Sequence, residues 1–406
     1  MKNYTPLQLV LILAPFVFSF ALGLDIYIPI VPQMIEIFQT TPFLIQLTLS
    51  LFLFVTGVGQ LLIGPLSDQF GRKRILLLAA ASYALGSLAC AASTHIAMLL
   101  LARILCSLGA CGLLVTSFAL VRDLFSGEQS AKMFSFLHGS IGISPIFAPL
   151  IGGYLATFWG WRSIFIFLTL IGLFAMYISQ AHIEETHHKN LRTKLNKDIF
   201  KRYWEIFSQR QFLIYALIAG LAESVFFCFF SISPFIIIDT LGVSTQNFGY
   251  YFATFGSVIA FGGLGAGKTI EKIGIQKTIF LGISLMLLGG VSMLGCVYFA
   301  RLSLSGFLIP MVFACTGAMF LLGSAAACAL EPFGHIAGTA SAAFGSLEFG
   351  IAAIVGSIVM SFSPYSTIPY GVSIVVMGVL SLSLFWPSRH KTLALPTTAS
   401  VSPETL

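Results

Sequence analysis

The chain has 406 residues, of which 57% are hydrophobic and only 9% charged. Soluble domains carry about 25% charged residues, so a surface that faces water is excluded. The net charge of +6 does not point to a nucleic-acid partner, because the basic residues are dispersed over short segments between apolar runs.

Taken in chain order, nearly uncharged runs recur at about 7–30, 43–64, 75–93, 97–121, 133–157, 162–180, 211–236, 247–267, 276–298, 303–327, 336–360 and 366–386. Each is long enough to cross ~30 Å of hydrocarbon as a helix. The first has no small-residue cleavage site and reads as a span, not a signal peptide. The expected fold is therefore an all-α membrane protein with twelve transmembrane helices in two six-helix halves, residues 1–180 and 211–390. A polar cytoplasmic linker, 181–210, joins them, and a disordered tail, 391–406, follows. Within the linker, residues 197–207 have the pattern of an amphipathic helix on the membrane surface. With both termini inside, 18 of the 21 basic residues fall on cytoplasmic segments; only Arg103, Arg162 and Arg301 do not. That asymmetry sets the orientation.

Cysteine usage adds little chemistry. Cys90, Cys106, Cys111, Cys228, Cys296, Cys315 and Cys328 all lie inside apolar runs without metal spacing, which reads as free buried thiols. Residues 182–188, His-Ile-Glu-Glu-Thr-His-His, lack the His-Glu-x-x-His spacing and read as a solvated run, with no metal site.

Between the second and third runs sits Gly64-Pro65-Leu66-Ser67-Asp68-Gln69-Phe70-Gly71-Arg72-Lys73-Arg74, a charged turn. Its Gly64, Asp68 and Gly71 recur 203 residues on as Gly267, Glu271 and Gly274. Similarly, Asp25-Ile26-Tyr27-Ile28-Pro29 is echoed by Phe230-Ser231-Ile232-Ser233-Pro234. Paired repeats of this kind place a binding cavity at the midplane, where the halves meet. Gly262-x-x-x-x-Gly267-Lys268-Thr269 spells a P-loop, but a phosphate cradle needs a strand before it, so nucleotide binding is not expected.

Four charged residues lie inside spans: Asp25, Glu223, Glu348 and Arg103. Each costs ~2.5–3.5 kcal/mol at the middle of a span, so they should face a wet cavity or one another, with Asp25 and Arg103 the candidate pair. Low-dielectric burial favours a neutral carboxyl and a nearby guanidinium favours a charged one; a site poised between the two can load and unload a proton. Glu36, Asp239 and Glu331 read as solvated span ends. Pro145 and Pro149 should kink the fifth span, and Gly152 and Gly153 permit close helix approach. Aromatic residues at Phe226, Phe227, Phe229, Phe230, Phe235, Tyr250, Tyr251 and Phe252 either line an apolar cavity or face lipid.

The turn Gly64-Pro65-Leu66-Ser67-Asp68-x-x-Gly71-Arg72-Lys73 resembles the loop signature of the major facilitator superfamily. Asp25-Ile26-Tyr27-Ile28-Pro29, Arg122-Asp123-Leu124-Phe125 and Gly338-Thr339-Ala340-Ser341-Ala342 resemble its Bcr/CflA group of drug-resistance exporters. Ala148-Pro149-Leu150-Ile151-Gly152-Gly153 is similar to the antiporter signature, with Ala148 where Gly is usual. Two further departures are Cys106, where the family tends to Gln, and Glu348, where a neutral amide is common. The resemblance implies a conformational latch of Gly64, Asp68, Gly71, Arg72 and Asp123, with Asp68 facing the start of the eleventh span around residues 336–338. It also implies that Pro145, Pro149, Gly152 and Gly153 seal span five against proton leak. The function so implied is a proton-coupled antiporter exporting small amphipathic compounds, monomeric, in a bacterial inner membrane. It would use no cofactor beyond the proton gradient. An importer or exporter of a specific nutrient, metabolite or metal chelate on the same fold is the alternative. No Gly-x-Ser-x-Gly or His-Glu-x-x-His suggests an enzyme, and no appended domain suggests a sensor.

Overall fold

The computed structural model describes residues 6–125, 127–186, 198–299 and 302–388; the expected disordered tail, most of the linker before residue 198, and His187 and His188 lie outside them. Every regular element among the described residues is helical. In chain order the α-helices are α1 Pro6–Asp25, α2 Val31–Ile37, α3 Pro42–Phe70, α4 Arg72–Ala91, α5 Ile96–Leu124, α6 Gly127–Trp159 and α7 Arg162–Ala181. Then follow α8 Asp198–Ser208, α9 Arg210–Pro234, α10 Thr245–Ile273, α11 Ile275–Phe299, α12 Leu304–Leu330, α13 Ala337–Met360 and α14 Thr367–Ser388.

Eleven helical stretches among the described residues are long and apolar enough to cross a membrane. The Gly-rich α10 is the long helix not among them. Leu62, Leu78, Leu85, Leu101 and Leu170 point outward and are more than half exposed, while Arg103 is fully buried. This inverts a water-soluble protein, and a lipid solvent explains it.

Several expected boundaries move. The charged turn is mostly helix: α3 runs through Gly64 to Phe70, and the chain reverses at Gly71 alone, with φ +99° and ψ 148°. Only glycine adopts that conformation cheaply, so the break is one residue wide. The first span is interrupted where Pro29 and Pro32 withdraw two backbone donors; α1 ends at Asp25 and a 3-10 turn covers Ile28–Ile30 before α2. The P-loop spelling lies inside α10, where Thr269 Oγ donates to the Gly265 carbonyl at 2.7 Å. Despite Pro145 and Pro149, α6 is one continuous 33-residue helix.

The repeat extends to backbone detail. Helices α3 and α10 each span 29 residues. Thr41 caps the first, accepting from Leu44 N, and Ser244 caps the second, accepting from Asn247 N. Both close on a positive-φ glycine, Gly71 at +99° and Gly274 at +83°. A side-chain oxygen at the N-cap satisfies an orphan amide, and the glycine ends the helix without steric cost. Among α1–α7, α1 packs on α5 and α6, and α4 on α5 and α7; among α9–α14, α9 packs on α12 and α13, and α11 on α12 and α14. The two groups meet along α3 against α13 and α6 against α10.

Candidate functional site

Arg103 sits on the inner face of α5 and is fully buried. It does not pair with Asp25. Its Nη1 donates to the Gly23 carbonyl at 2.8 Å and its Nε to the Thr48 carbonyl at 3.2 Å. The guanidinium also lies over the rings of Phe52 (4.4 Å) and Tyr27 (5.3 Å). The carbonyl of Gly23 lies within reach where α1 frays toward its break, and the charge is spread over aromatic faces. The fork thus ties α5 to α1 and α3 and leaves the carboxyl alone.

The three acids gather instead with one another. Asp25 ends α1 and is 2% exposed. Its carboxyl lies beside Ser144 of α6 and within electrostatic range of Glu223 on α9. Glu223 in turn acts on Glu348 of α13. The helices deliver them there because Gly220 lies against Ile351, and Gly356 against Phe227, along the α9–α13 contact. Among the described residues no three His, Cys, Asp or Glu side chains are placed to hold a metal ion. A buried carboxylate with no cation beside it is costly; exchange of protons relieves that cost. Gln46 of α3 donates to Ser231 of α9, a link between the two groups that the amide inside an apolar run could have signalled.

At the end carrying Pro6 and Ser388, Arg72 is buried and central. It pairs with Asp68 (2.5 Å) and donates from Nε to Asp123 Oδ2 at 2.9 Å. Its side chain also reaches Ser67, and its backbone N–H donates to Glu185 at 2.8 Å. Thr186 Oγ donates to Asp123 at 3.2 Å. Asp68 is therefore held by Arg72 from across the Gly71 break, the end of α3 tied to the start of α4. What lies against Gly338 at the start of α13 is the Arg122 guanidinium of α5, and not the Asp68 carboxylate expected there. Gly64 faces open space and needs no special approach.

The span-five residues make a close seam. A Cβ on Gly152 would land on the Ile26 carbonyl, and one on Gly153 would come within 2.9 Å of the Thr245 carbonyl. From the other side, Gly249 lies against Leu150 and Gly256 against Pro145 and Ile146. At the far end of this seam Tyr154 and Tyr250 hydroxyls meet at 2.7 Å, and Gln33 Nε2 donates to Thr245 Oγ at 2.9 Å. A cleft of about 440 Å³ opens there, lined by Gln33, Thr157, Ile238, Ser244, Thr245 and Gln246. Glu36 and Asp239, expected only as solvated ends, lie within electrostatic range of each other. Phe229, Phe230, Phe252 and Phe255 are buried with their rings tilted or edge-on to one another, centroids 3.9–6.4 Å apart, so they pack the interior and do not meet lipid.

Residues 13–357 match the Major Facilitator Superfamily. The chain belongs to that superfamily. It is a multi-pass membrane transporter, the family match supplying transport and the apolar outer face fitting a lipid solvent. Its relatives include the chloramphenicol resistance protein of Pseudomonas aeruginosa, 32% identical over 391 residues (96% of this chain, 92% of that protein). The bicyclomycin resistance protein homolog of Haemophilus influenzae is 31% identical over 355 residues, covering 86% and 87%. Among superfamily members of known structure, a D-xylose–proton symporter superimposes with TM-score 0.73 at 16% identity, over 92% of this chain and 97% of that one.

Proposed function

We propose that this superfamily member is a proton-coupled antiporter that exports small amphipathic compounds by alternating access. In this reading it has twelve spans in two six-helix halves, 1–180 and 211–390, joined by the linker 181–210. Both termini are cytoplasmic, and the protein works as a monomer in a bacterial inner membrane. The names of the drug-resistance relatives support export of such compounds.

One observation carries the coupling: Asp25, Glu223 and Glu348 reach the meeting place of the halves from α1, α9 and α13, while Arg103 is committed to backbone carbonyls. The acids are left to protons and to a cationic or polar substrate, which compete for the same carboxylates. Rocking the halves exposes the acids to each side in turn, and a proton admitted from outside displaces substrate outward.

The test is substrate flux in inverted vesicles under an imposed pH gradient. Chloramphenicol and cationic dyes serve as probes, with Asp25→Asn alongside the unmodified protein. Proton-driven uptake should collapse in Asp25→Asn while membrane levels of protein hold. Undiminished uptake in that variant, or in unmodified protein after the gradient is dissipated, would refute the reading.

A further inference from the structure

Pro65 lies inside α3, and a proline has no N–H to give the carbonyl four residues before it. The carbonyl so released is that of Leu61. It does not stay empty: the Tyr203 hydroxyl of α8 donates to it at 3.1 Å. Burial, and then the nearby Asp68, push this hydroxyl up to about 12, so it keeps its proton to donate.

The rest of α8 belongs to the other side. It packs on α9 and α13, and an aromatic train runs from it into that group. Tyr203 stacks on Phe207 (6.4 Å), Phe207 meets Phe212 of α9 (6.0 Å), and Phe212 meets Phe333 before α13 (5.7 Å). Helix α8 is thus packed on α9 and α13 and, through the Tyr203 hydroxyl, hydrogen-bonded to α3. A second carbonyl offers the contrast. The Cys328 carbonyl, in the last turn of α12, is taken by Gln211 Nε2 at 3.0 Å, but both partners belong to the C-terminal group and stay together however the halves move.

We propose that Tyr203 is the clasp of the inner gate: its hydrogen bond to the Leu61 carbonyl, vacated by Pro65, holds the cytoplasmic ends of the halves together and breaks when they part. This rests on the alternating-access reading above. When the inner ends separate, α8 travels with the C-terminal half and water replaces Tyr203 at Leu61. The clasp therefore weights the equilibrium toward the inner-closed state by the net worth of one hydrogen bond, roughly a threefold to tenfold factor in population.

The experiment measures distances between spin labels at Arg74→Cys and Lys272→Cys, both exposed at the cytoplasmic end; six of the seven native thiols are buried. Tyr203→Phe keeps the ring stack and removes only the hydroxyl. It should raise the separated population by about threefold to tenfold. Pro65→Ala restores the N–H that Leu61 lacks, so in that background Tyr203→Phe should shift the population less than about twofold. No shift in the native background, or an equal shift in both, would overturn the clasp. Because distances are read without substrate or gradient, a protein that moves no drug can still pass or fail this test.

Discussion

At the scale of single residues, the guanidinium of Arg103 is the most constrained charge in the protein. Its planar fork serves two carbonyls on two helices while two rings cover it, and a lysine ammonium cannot reproduce that geometry. Arg103→Lys should therefore destabilise the purified protein by about 1–3 kcal/mol in a denaturant or thermal melt; wild-type stability would show that the tether matters little. The sequence made Arg103 conspicuous, as one base in a long apolar run, but not its partner. Pairing it with Asp25 was reasonable from charge alone. It failed because a helix that frays at Asp25 offers a nearer acceptor, the Gly23 carbonyl, and no pattern of letters reports a fraying carbonyl. That the buried charges should face a wet cavity or one another was legible from their cost in an apolar run; that Asp25, Glu223 and Glu348 meet while Arg103 stands apart was not, since it depends on helix packing between residues far apart in the chain.

At the scale of elements, glycines divide into those that touch something and those that do not. On α6, Gly152 abuts the Ile26 carbonyl, whereas Gly139 and Gly142 have nothing within 4 Å. Gly152→Ala should then cost about 1–3 kcal/mol through overpacking, read as lost thermal stability and lower transport. Gly139→Ala and Gly142→Ala should be neutral, or slightly stabilising through better helix propensity. Equal behaviour of all three would refute the tight α1–α6 contact. Elements were the most legible level of the sequence: the apolar runs located the long helices, and the linker helix was expected within a residue or two of Asp198–Ser208. The charged turn misled because polarity was taken for irregularity. In fact α3 carries its charges on a helix that projects past the membrane-facing stretch, and Gly71 alone turns the chain.

For the whole molecule, the seams α3–α13 and α6–α10 bind the two groups of helices, and any rocking must open one end while closing the other. Gly153 and Gln246 lie close enough across the α6–α10 seam, with a Cβ on the first 3.6 Å from the Cα of the second, to be bridged by a disulfide. Cross-linking Gly153→Cys with Gln246→Cys should stop transport, and a reductant should restore it to the level of the uncross-linked pair; transport that continues after complete cross-linking would exclude rocking about this seam. The matching caps at Thr41 and Ser244, the equal lengths of α3 and α10, and the shared closing glycines also carry a historical meaning. Two stretches 203 residues apart that start, run and stop by the same local rules descend most simply from one ancestral gene.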